Sequence, residues 1–455
     1  MSDTIAAIST ALSEGGIGIV RLSGERSLEI LKKVFYKAPE NIKPRHAYYG
    51  KVLDFENKKI IDEAIFIYMK APHTYTCEDV VEIQAHGSII SLKLILRSVL
   101  SAGARMAEPG EFTKLAFLNG RLDLTQAEAV TDLIKAKTEI PLNIATKQLS
   151  GDLGDKIKKI REGLLDILAQ MAVNIDFPDE DIEQVEYKNF IENLEIYSHK
   201  CFKMLETSDI GKIAKEGIKV AIVGRPNVGK SSLMNAVLGE GRVIVTDIPG
   251  TTRDTIEESA NIGGIPIVLV DTAGIRETDD VIERIGIEKS QKEIERSDLV
   301  VLVLDGSSKI TEDDIEIISH IKNKRVLAII NKEDLGTVIS NKDINKYLPD
   351  CTVITTSLLN VEGAQKVIDR IEDMFCSGVV KAENTGIITN ERQRDALRNA
   401  YERIISAKDL LKNGEAIEIA ELEVHAAFDF LGEIIGETAG EEILDAVFSK
   451  FCLGK

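Results

Sequence analysis

The chain of 455 residues carries a formal net charge of −19 at pH 7, and its 44% hydrophobic and 29% charged residues are ordinary for a globular protein of about three domains. Neither a signal-type N-terminus nor a run of 18 apolar residues is present, which predicts a cytosolic protein without membrane spans, and the five scattered cysteines argue against structural disulfides and a zinc site. The acidity argues against a broad basic face for RNA, so any RNA would be held by a local patch or by a partner's positive surface.

Residues 1–118 form the first predicted domain, which mixes strands and helices in an α+β pattern. Strands are predicted at 62–68 and 79–84, and helices at 27–35 and 89–100. The segment 15–21, Gly-Gly-Ile-Gly-Ile-Val-Arg, has too many glycines for an ordinary strand interior. Its composition indicates a close approach of the backbone to another group.

Residues 119–215 and 379–455 are predicted to be helical. Thr125-Gln126-Ala127-Glu128 predicts a capping box at the start of the first helical segment. Apolar residues then repeat at helical spacing at Ile157, Ile160, Leu164, Ile167, Leu168 and Met171, and later at Leu397, Tyr401, Ile404 and Leu411. Each segment is amphipathic and needs a partner, so one helical bundle built from both, with the domain 216–378 inserted, is the economical arrangement. Two separate helical domains are the alternative.

The inserted domain begins with an apolar strand, 218–223, that runs into a phosphate loop, Gly224-Arg225-Pro226-Asn227-Val228-Gly229-Lys230-Ser231. Glycines at both ends let backbone N–H groups face an anion at the N-terminus of the following helix. Lys230 is predicted to reach the terminal phosphates, and the Ser231 hydroxyl to ligate magnesium. The loop residues predicted to bind GTP are Asn227, Val228, Gly229, Lys230, Ser231 and Ser232.

Two segments after the loop are predicted to surround the γ-phosphate. The first switch is predicted at residues 246–254. Its predicted GTP contacts are Thr246, Asp247, Ile248, Pro249, Gly250, Thr251 and Thr252. In it Thr252 is predicted to complete the magnesium shell, with Thr251 as the alternative. An apolar strand then ends in Asp271, Thr272, Ala273 and Gly274. Asp271 is predicted to hold the magnesium hydration shell, and the Gly274 N–H to sense the γ-phosphate.

A third apolar strand, 326–330, is followed by Asn331-Lys332-Glu333-Asp334. The Asp334 carboxylate can accept hydrogen bonds from the N1–H and the 2-amino group of guanine, and adenine offers neither donor. Asn331, Lys332 and Asp334 are therefore predicted to select GTP. The pattern of strands and helices predicts a doubly wound P-loop GTPase domain.

The residue after the Asp-Thr-Ala-Gly motif is Ile275, where Ras-like enzymes have the glutamine that orients the attacking water. Another group must position the water, and another cation must replace an arginine finger. Glu283 is a nearby carboxylate suited to the first task. The alternative for Glu283 is a solvated helix residue.

Segments outside the GTPase loops carry a resemblance. They are 15–24, 75–82, 109–113, 117–124 and the terminal Phe451-Cys452-Leu453-Gly454-Lys455. Together with the loops they resemble the MnmE (TrmE) family of tRNA-modification GTPases over nearly the full length. The resemblance implies a homodimer formed through an N-terminal domain that binds 5-formyl- or 5,10-methylene-tetrahydrofolate, and a split helical domain that carries the GTPase. It also implies an FAD-containing, nicotinamide-using partner, in a heterotetramer, that helps to place a carboxymethylaminomethyl-type group on C5 of the wobble uridine U34 of certain tRNAs.

The resemblance also assigns residues by position. Folate contacts fall on Arg21, Glu82, Arg121 and Lys455, and the ligands of a potassium ion that replaces the arginine finger fall on Asn227, Thr246, Ile248 and Thr251. The catalytic glutamate of the family lies in the same segment as Glu283. Departures from the family pattern are Leu115, Ser88 and Ser357-Leu358. Cys452 is a candidate for the modification chemistry, and an inert terminal thiol is the alternative.

Two other functions fit part of the pattern. A ribosome-assembly GTPase would share the loops but should carry a basic RNA-binding appendage, which the sequence does not suggest. A non-catalytic protein that senses GTP and binds folate would show little hydrolysis and no preference for potassium.

Overall fold

The computed structural model describes residues 3–176, 184–241, 258–271, 294–382 and 387–455. The chain divides into two compact units, one drawn from residues 1–131, 147–198 and 399–455 and the other from 132–146 and 199–398. The first unit therefore contains chain from both sides of the predicted GTPase segment. The predicted boundaries after residues 118, 215 and 378 stay predictions.

A six-stranded sheet forms the N-terminal part of the first unit. Its strands are β1 (Ile5–Ile8), β2 (Gly15–Ser23), β3 (Ala47–Leu53), β4 (Ile60–Met69), β5 (Val80–Gly87) and β6 (Arg105–Met106), and the helices of this part are α1 (Ser27–Val34), α2 (Ile89–Ser101) and α3 (Glu111–Leu118). The strand order is β3-β4-β5-β2-β1-β6, and only β1 and β6 run parallel. The α+β pattern predicted for this region is confirmed.

One face of this sheet forms the core with α1 and α2 because its strands alternate. Leu22, Val81 and Phe66 are fully buried on that face. Their neighbours Arg21 and Glu82 are register partners on the opposite face. The glycine-rich strand β2 approaches other groups closely, as predicted: a Cβ added to Gly87 would collide with the carbonyl of Gly15.

The helices that follow are mostly long. Their bounds are α4 (Leu124–Lys135), α5 (Glu139–Leu149), α6 (Asp152–Asp176) and α7 (Gln184–Glu206), and, near the C-terminus, α13 (Glu391–Lys412), α14 (Ile417–Ile435) and α15 (Glu441–Phe448). Helix α6 packs against α14, so helices from both sides of the GTPase segment share one core, and the predicted apolar face of α6 is buried. Among the described helices, none has both the length and the apolarity needed to cross a membrane.

The capping box predicted at Thr125 and Glu128 is wrong by two residues. Asp123 caps α4: its carboxylate accepts a hydrogen bond from the Gln126 N–H at 3.0 Å, and the Gln126 side chain accepts one from the Asp123 N–H at 2.9 Å. Aspartate and glutamine satisfy the free N–H groups reciprocally, as the threonine–glutamate pair was expected to do. The Thr125 hydroxyl instead donates to Asp123 at 2.7 Å.

The second unit is built on a six-stranded sheet of order β12-β11-β10-β7-β9-β8. Its strands are β7 (Ile218–Val223), β8 (Glu258–Ile262), β9 (Ile265–Asp271), β10 (Leu299–Asp305), β11 (Val326–Asn331) and β12 (Thr352–Thr355). Among the described residues, the α-helices that lie wholly within this unit are α8 (Ser208–Glu216), α9 (Lys230–Gly241), α10 (Glu312–Ile321), α11 (Asn341–Asn345) and α12 (Val361–Ala382). All neighbours are parallel except β8 and β9. Every residue of β11 is buried, because separate apolar clusters cover the two faces of the sheet. The predicted doubly wound P-loop fold is confirmed.

Candidate functional site

The phosphate loop joins β7 to α9 in a tight curl. Gly224 and Gly229 have φ angles of 148° and 110°, and Asn227 has a φ of 62°. L residues with side chains rarely adopt such angles, so the two glycines are needed for the shape of the curl. A Cβ on Gly229 would also collide with the side-chain amide of Asn331.

Lys230 lies at the first position of α9 and turns back over the loop. Its ammonium donates hydrogen bonds to the carbonyls of Gly224 and Arg225, each at 2.7 Å. The ammonium is thereby held inside the curl beside the positive end of the helix dipole. The positive charge of Lys230 and the N-terminal N–H groups of α9 converge there, which is the requirement for binding the phosphates of a nucleotide.

Asn331 ends β11 and joins two loops through one buried side chain. Its amide nitrogen donates to the carbonyl of Val228 at 2.7 Å, and its amide oxygen accepts from the N–H of Leu358 at 2.8 Å. The phosphate loop and the segment after β12 are therefore fixed to the same residue. In that segment the Ser357 hydroxyl is buried and has no hydrogen-bond partner among the described residues, which is consistent with a ligand group at this position.

The residues after Asn331 form an exposed turn. Lys332 has a φ of 66°, and its ammonium contacts the Asp305 carboxylate at 2.6 Å. Burial disfavours the charged form of Asp305, but hydrogen bonds from Lys332 and Ser307 outweigh it and hold the pKa of that carboxyl below its usual value. Asp334 lies in a single 3₁₀ turn, Glu333–Leu335, and its side chain is exposed.

Other predicted nucleotide contacts are only partly described. Ser231 and Ser232 lie in the first turn of α9, and Asp271 ends β9 in register with Ile222 of β7, beside the phosphate loop. The remaining predictions lie outside the described residues: Thr246, Asp247, Ile248, Pro249, Gly250, Thr251, Thr252, Thr272, Ala273, Gly274 and Glu283.

Three of the four predicted folate contacts form one cluster in the N-terminal domain: Arg21 and Arg121 lie beside the Tyr75 ring, and Glu82 pairs with Arg21. Arg21 donates from Nε to Oε1 of Glu82 at 3.0 Å, and its Nη2 lies 2.9 Å from the same oxygen. The Arg21 guanidinium lies 5.9 Å from the centre of the Tyr75 ring and 5.7 Å from that of Phe112. Arg121 lies 4.8 Å from the Tyr75 ring and donates to the Tyr75 carbonyl at 2.9 Å.

Tyr75 and Phe112 were not singled out from the sequence. Both lie within the segments 75–82 and 109–113, which carry the family resemblance, and that membership was the one signal that could have identified them. Lys455, the fourth predicted folate contact, makes no hydrogen bond or ion pair with Arg21, Glu82 or Arg121 in the part of the chain that the structure describes. The tail that carries it nevertheless docks on the same domain, because Gly110 N–H donates to the Cys452 carbonyl at 3.5 Å.

The parallel sheet, the curled glycine loop and the polar turn after β11 define a P-loop nucleotide-binding protein of the GTPase class. Family models match both parts of the chain: one described as GTP-binding protein TrmE N-terminus covers residues 4–121, and one described as MnmE helical domain covers residues 124–452. The chain therefore belongs to the MnmE (TrmE) family.

Named relatives agree with this assignment. A protein of Clostridioides difficile (strain 630) described as tRNA modification GTPase MnmE is 48% identical over 459 residues, with 100% of both chains covered. Relatives with the same description are 46% identical in Alkaliphilus oremlandii (strain OhILAs), with 100% of both chains covered, and 44% identical in Thermoanaerobacter pseudethanolicus, with 100% of this chain and 99% of the relative covered. The solved G domain of the T. maritima FeoB iron transporter is 28% identical, covers 34% of this chain and 97% of its own, and has a TM-score of 0.26, too low to support a structural argument.

Proposed function

We propose that this protein hydrolyses GTP to drive a step of tRNA modification, the activity that the descriptions of its relatives give for them. The observation that carries the proposal is the position of Asn331. One buried side chain joins the phosphate loop to the segment after β12, and Asp334 follows three residues later. A single framework would then hold the phosphates and the guanine base together. The carboxylate of Asp334 would accept hydrogen bonds from the N1–H and the 2-amino group of guanine.

Lys230 would hold the terminal phosphates, and Ser231 would ligate magnesium with Thr252, or with its neighbour Thr251. Magnesium neutralises charge that develops on the transferred phosphoryl group. Asn227 lies exposed at the turn of the loop, where its amide oxygen is accessible to a potassium ion. The other proposed potassium ligands are Thr246, Ile248 and Thr251.

The water-positioning group remains Glu283 in this proposal, because Ile275 offers no hydrogen bond. A glutamate can accept a proton or a hydrogen bond from the attacking water, whereas an isoleucine side chain can do neither. The Gly274 N–H would donate a hydrogen bond to the γ-phosphate. Asp271 would hold the hydration shell of magnesium.

The N-terminal cluster fits a reduced pterin. A pterin presents a ring N–H beside an amino group, and a carboxylate can accept from both. Both contacts of Arg21 go to Oε1 of Glu82, so Oε2 has no hydrogen-bond partner among the described residues. Tyr75 and Phe112 offer aromatic surfaces beside it, while Arg121 and Lys455 would neutralise the carboxylates of the glutamate tail.

The exposed face of the N-terminal sheet supports the proposed homodimer. Tyr49 and Ile65 are register partners and are 72% and 38% exposed, and Ile17 is 66% exposed. Tyr49 and Ile65 form an exposed apolar pair on neighbouring strands, and an exposed apolar patch indicates an interaction surface. The dimer would join an FAD-containing partner in a heterotetramer in the cytoplasm, and the pair would place a carboxymethylaminomethyl-type group on C5 of U34.

Two measurements test this function. GTP turnover should be faster in KCl than in NaCl, and Glu283→Ala should slow turnover while leaving GTP affinity nearly unchanged. Nucleoside analysis of tRNA from cells without this protein should show unmodified U34. Equal hydrolysis of ATP and GTP, or normal U34 in those cells, would contradict the proposal.

A further inference from the structure

Two basic tetrads meet at one corner of the N-terminal sheet. Lys43-Pro44-Arg45-His46 directly precedes β3, and Lys70-Ala71-Pro72-His73 directly follows β4. These strands are antiparallel neighbours, with Ala47 opposite Ile67, so both tetrads emerge at the same end of the pair. Lys43, Arg45, His46, Lys70 and His73, all exposed, are called the basic corner here.

Hydrogen bonds fix the two tetrads to each other and to the sheet. The Arg45 N–H donates to the Tyr68 carbonyl at 2.7 Å, and the Arg45 guanidinium donates to the His73 carbonyl at 2.6 Å. The Lys43 N–H donates to the Tyr48 hydroxyl at 2.8 Å. Proline within each tetrad limits the backbone further. The corner is therefore a preformed surface, which a ligand need not order on binding.

Arg45 holds a backbone conformation that costs energy. Its φ is 63°, in the left-handed region, which a residue with a side chain seldom adopts and which glycine adopts readily. Glycine would adopt this turn without that cost but would leave no guanidinium at the corner. Strained backbone of this kind concentrates at functional sites.

Within the described residues, no ion pair neutralises the lysine and arginine charges of the corner. Lys43, Arg45 and Lys70 form no salt bridge with any described residue. The Asp79 carboxylate, which is bonded to the second tetrad, already accepts hydrogen bonds from the Tyr68 hydroxyl at 2.8 Å and from the Ala71 N–H at 2.9 Å. A chain with a net charge of −19 thus retains a local positive surface on its N-terminal domain.

We propose that the basic corner binds the phosphodiester backbone of tRNA. The inference rests on the proposed function, which requires contact with tRNA. Exposed lysine and arginine side chains are the usual partners of phosphate oxygens, and such contacts position a nucleic acid without reading its sequence. A local patch of this kind also allows an acidic protein to hold RNA without a broad basic face.

Binding of an unmodified tRNA transcript to the full chain, measured by fluorescence anisotropy from 50 to 300 mM KCl, tests the proposal. The double variant K43A/K70A should bind about tenfold more weakly at 100 mM KCl. The plot of the logarithm of the association constant against log [KCl] has a negative slope, and the magnitude of that slope should decrease by about 1.5 because two phosphate contacts are lost. R45G keeps the backbone turn and should weaken binding in the same direction. The control K93A/K366A removes two exposed lysines elsewhere and changes the net charge equally.

The outcomes separate the inference from the proposed function. An unchanged salt slope in K43A/K70A, or an equal loss in K93A/K366A, would overturn the basic corner as the tRNA site. A wild-type chain that binds no tRNA at any of these salt concentrations would overturn it as well. The first two results leave the proposed function untouched, because that function is judged separately by GTP turnover and by nucleoside analysis of cellular tRNA.

Discussion

Arg225 of the phosphate loop donates from Nε to Oδ1 of Asp314 at 2.8 Å, and Asp314 is only 1% exposed. The other oxygen of the same carboxylate accepts from the N–H and the hydroxyl of Thr311, at 3.0 and 2.8 Å, and completes the capping box of α10. One buried carboxylate therefore fixes both the nucleotide loop and the helix that follows β10.

Asp314→Ala should destabilise the GTPase domain. The substitution removes the Asp314 half of the capping box and leaves the partly buried Arg225 without its carboxylate, which together cost about 3 kcal/mol. Thermal unfolding followed by circular dichroism should show a lower midpoint, and GTP affinity should fall because the loop loses its anchor. Asp313→Ala, one residue away and exposed, is the matched control and should change little. Equal midpoints for the two variants would refute the anchoring role.

Asp334→Asn should shift the base preference of the nucleotide site from guanine towards xanthine. An asparagine at this position presents a donor where guanine also has donors, so GTP affinity should fall by roughly three orders of magnitude or more, while xanthosine triphosphate should bind better than it does to the wild type. Titration with fluorescent nucleotide analogues measures both affinities. Glu333→Gln, the adjacent exposed residue, should leave GTP binding intact. If Asp334→Asn keeps wild-type affinity for GTP, the carboxylate does not contact the base.

Glu82→Gln should abolish tight folate binding. The amide would present N–H groups toward a pterin edge that also donates, and Arg21 would lose its charged partner, so we expect at least about a hundredfold weaker binding by calorimetry. Glu63→Gln, on the neighbouring strand β4, removes the same charge from an exposed position and should have little effect. GTP turnover of the Glu82→Gln chain should remain normal. Retained folate affinity would place the pterin elsewhere.

Helices and strands were predicted most accurately where one physical signal, an apolar run or a helical spacing of apolar residues, dominated the local sequence. Strand β11 is apolar up to Asn331, and β7 is apolar except for Lys219; each leads into a glycine or polar turn. The helical faces of α6 and α13 follow from spacing. The pairing of Arg225 with Asp314 could not be predicted, because the two residues are 89 positions apart and only the folded sheet brings them together.

Other features could not be predicted, because the local sequence pattern either allowed two interpretations or gave no information about them. Asp123 and Thr125 are both good helix caps, and only the observed bonds select Asp123. The contact of Tyr75 with Arg21 and Arg121 depends on where a loop crosses the sheet, which no periodicity encodes. The predicted switch residues and Glu283 lie outside the described residues, so their roles rest on motif position alone.

The exposed His86 pairs with the half-buried Asp62, and the titration of this pair can be measured directly. The His86 Nδ1 lies 2.7 Å from Oδ1 of Asp62, while the Ser91 hydroxyl donates to Oδ2 at 2.7 Å. The hydrogen bond to Asp62, followed by its negative charge, raises the pKa of His86 above its ordinary value of 6.5. For Asp62, burial opposes ionisation, but bonds from Ser91 and His86 outweigh it, so its pKa is lowered from 3.8.

The two shifts set the pH window in which this pair stabilises the fold. A raised histidine pKa contributes stability that is fully present below 6.5 and is lost as the pH rises through the folded-state value. A lowered aspartate pKa contributes stability above 3.8 that is lost as the pH falls through its folded-state value. NMR titration of the His86 ring should give a pKa above 6.5, and Asp62→Asn should move it back toward 6.5. Ser91→Ala, which leaves the carboxylate charged beside the ring, should keep the His86 pKa raised, whereas a wild-type ring that titrates at 6.5 would show that the pair does not form in solution.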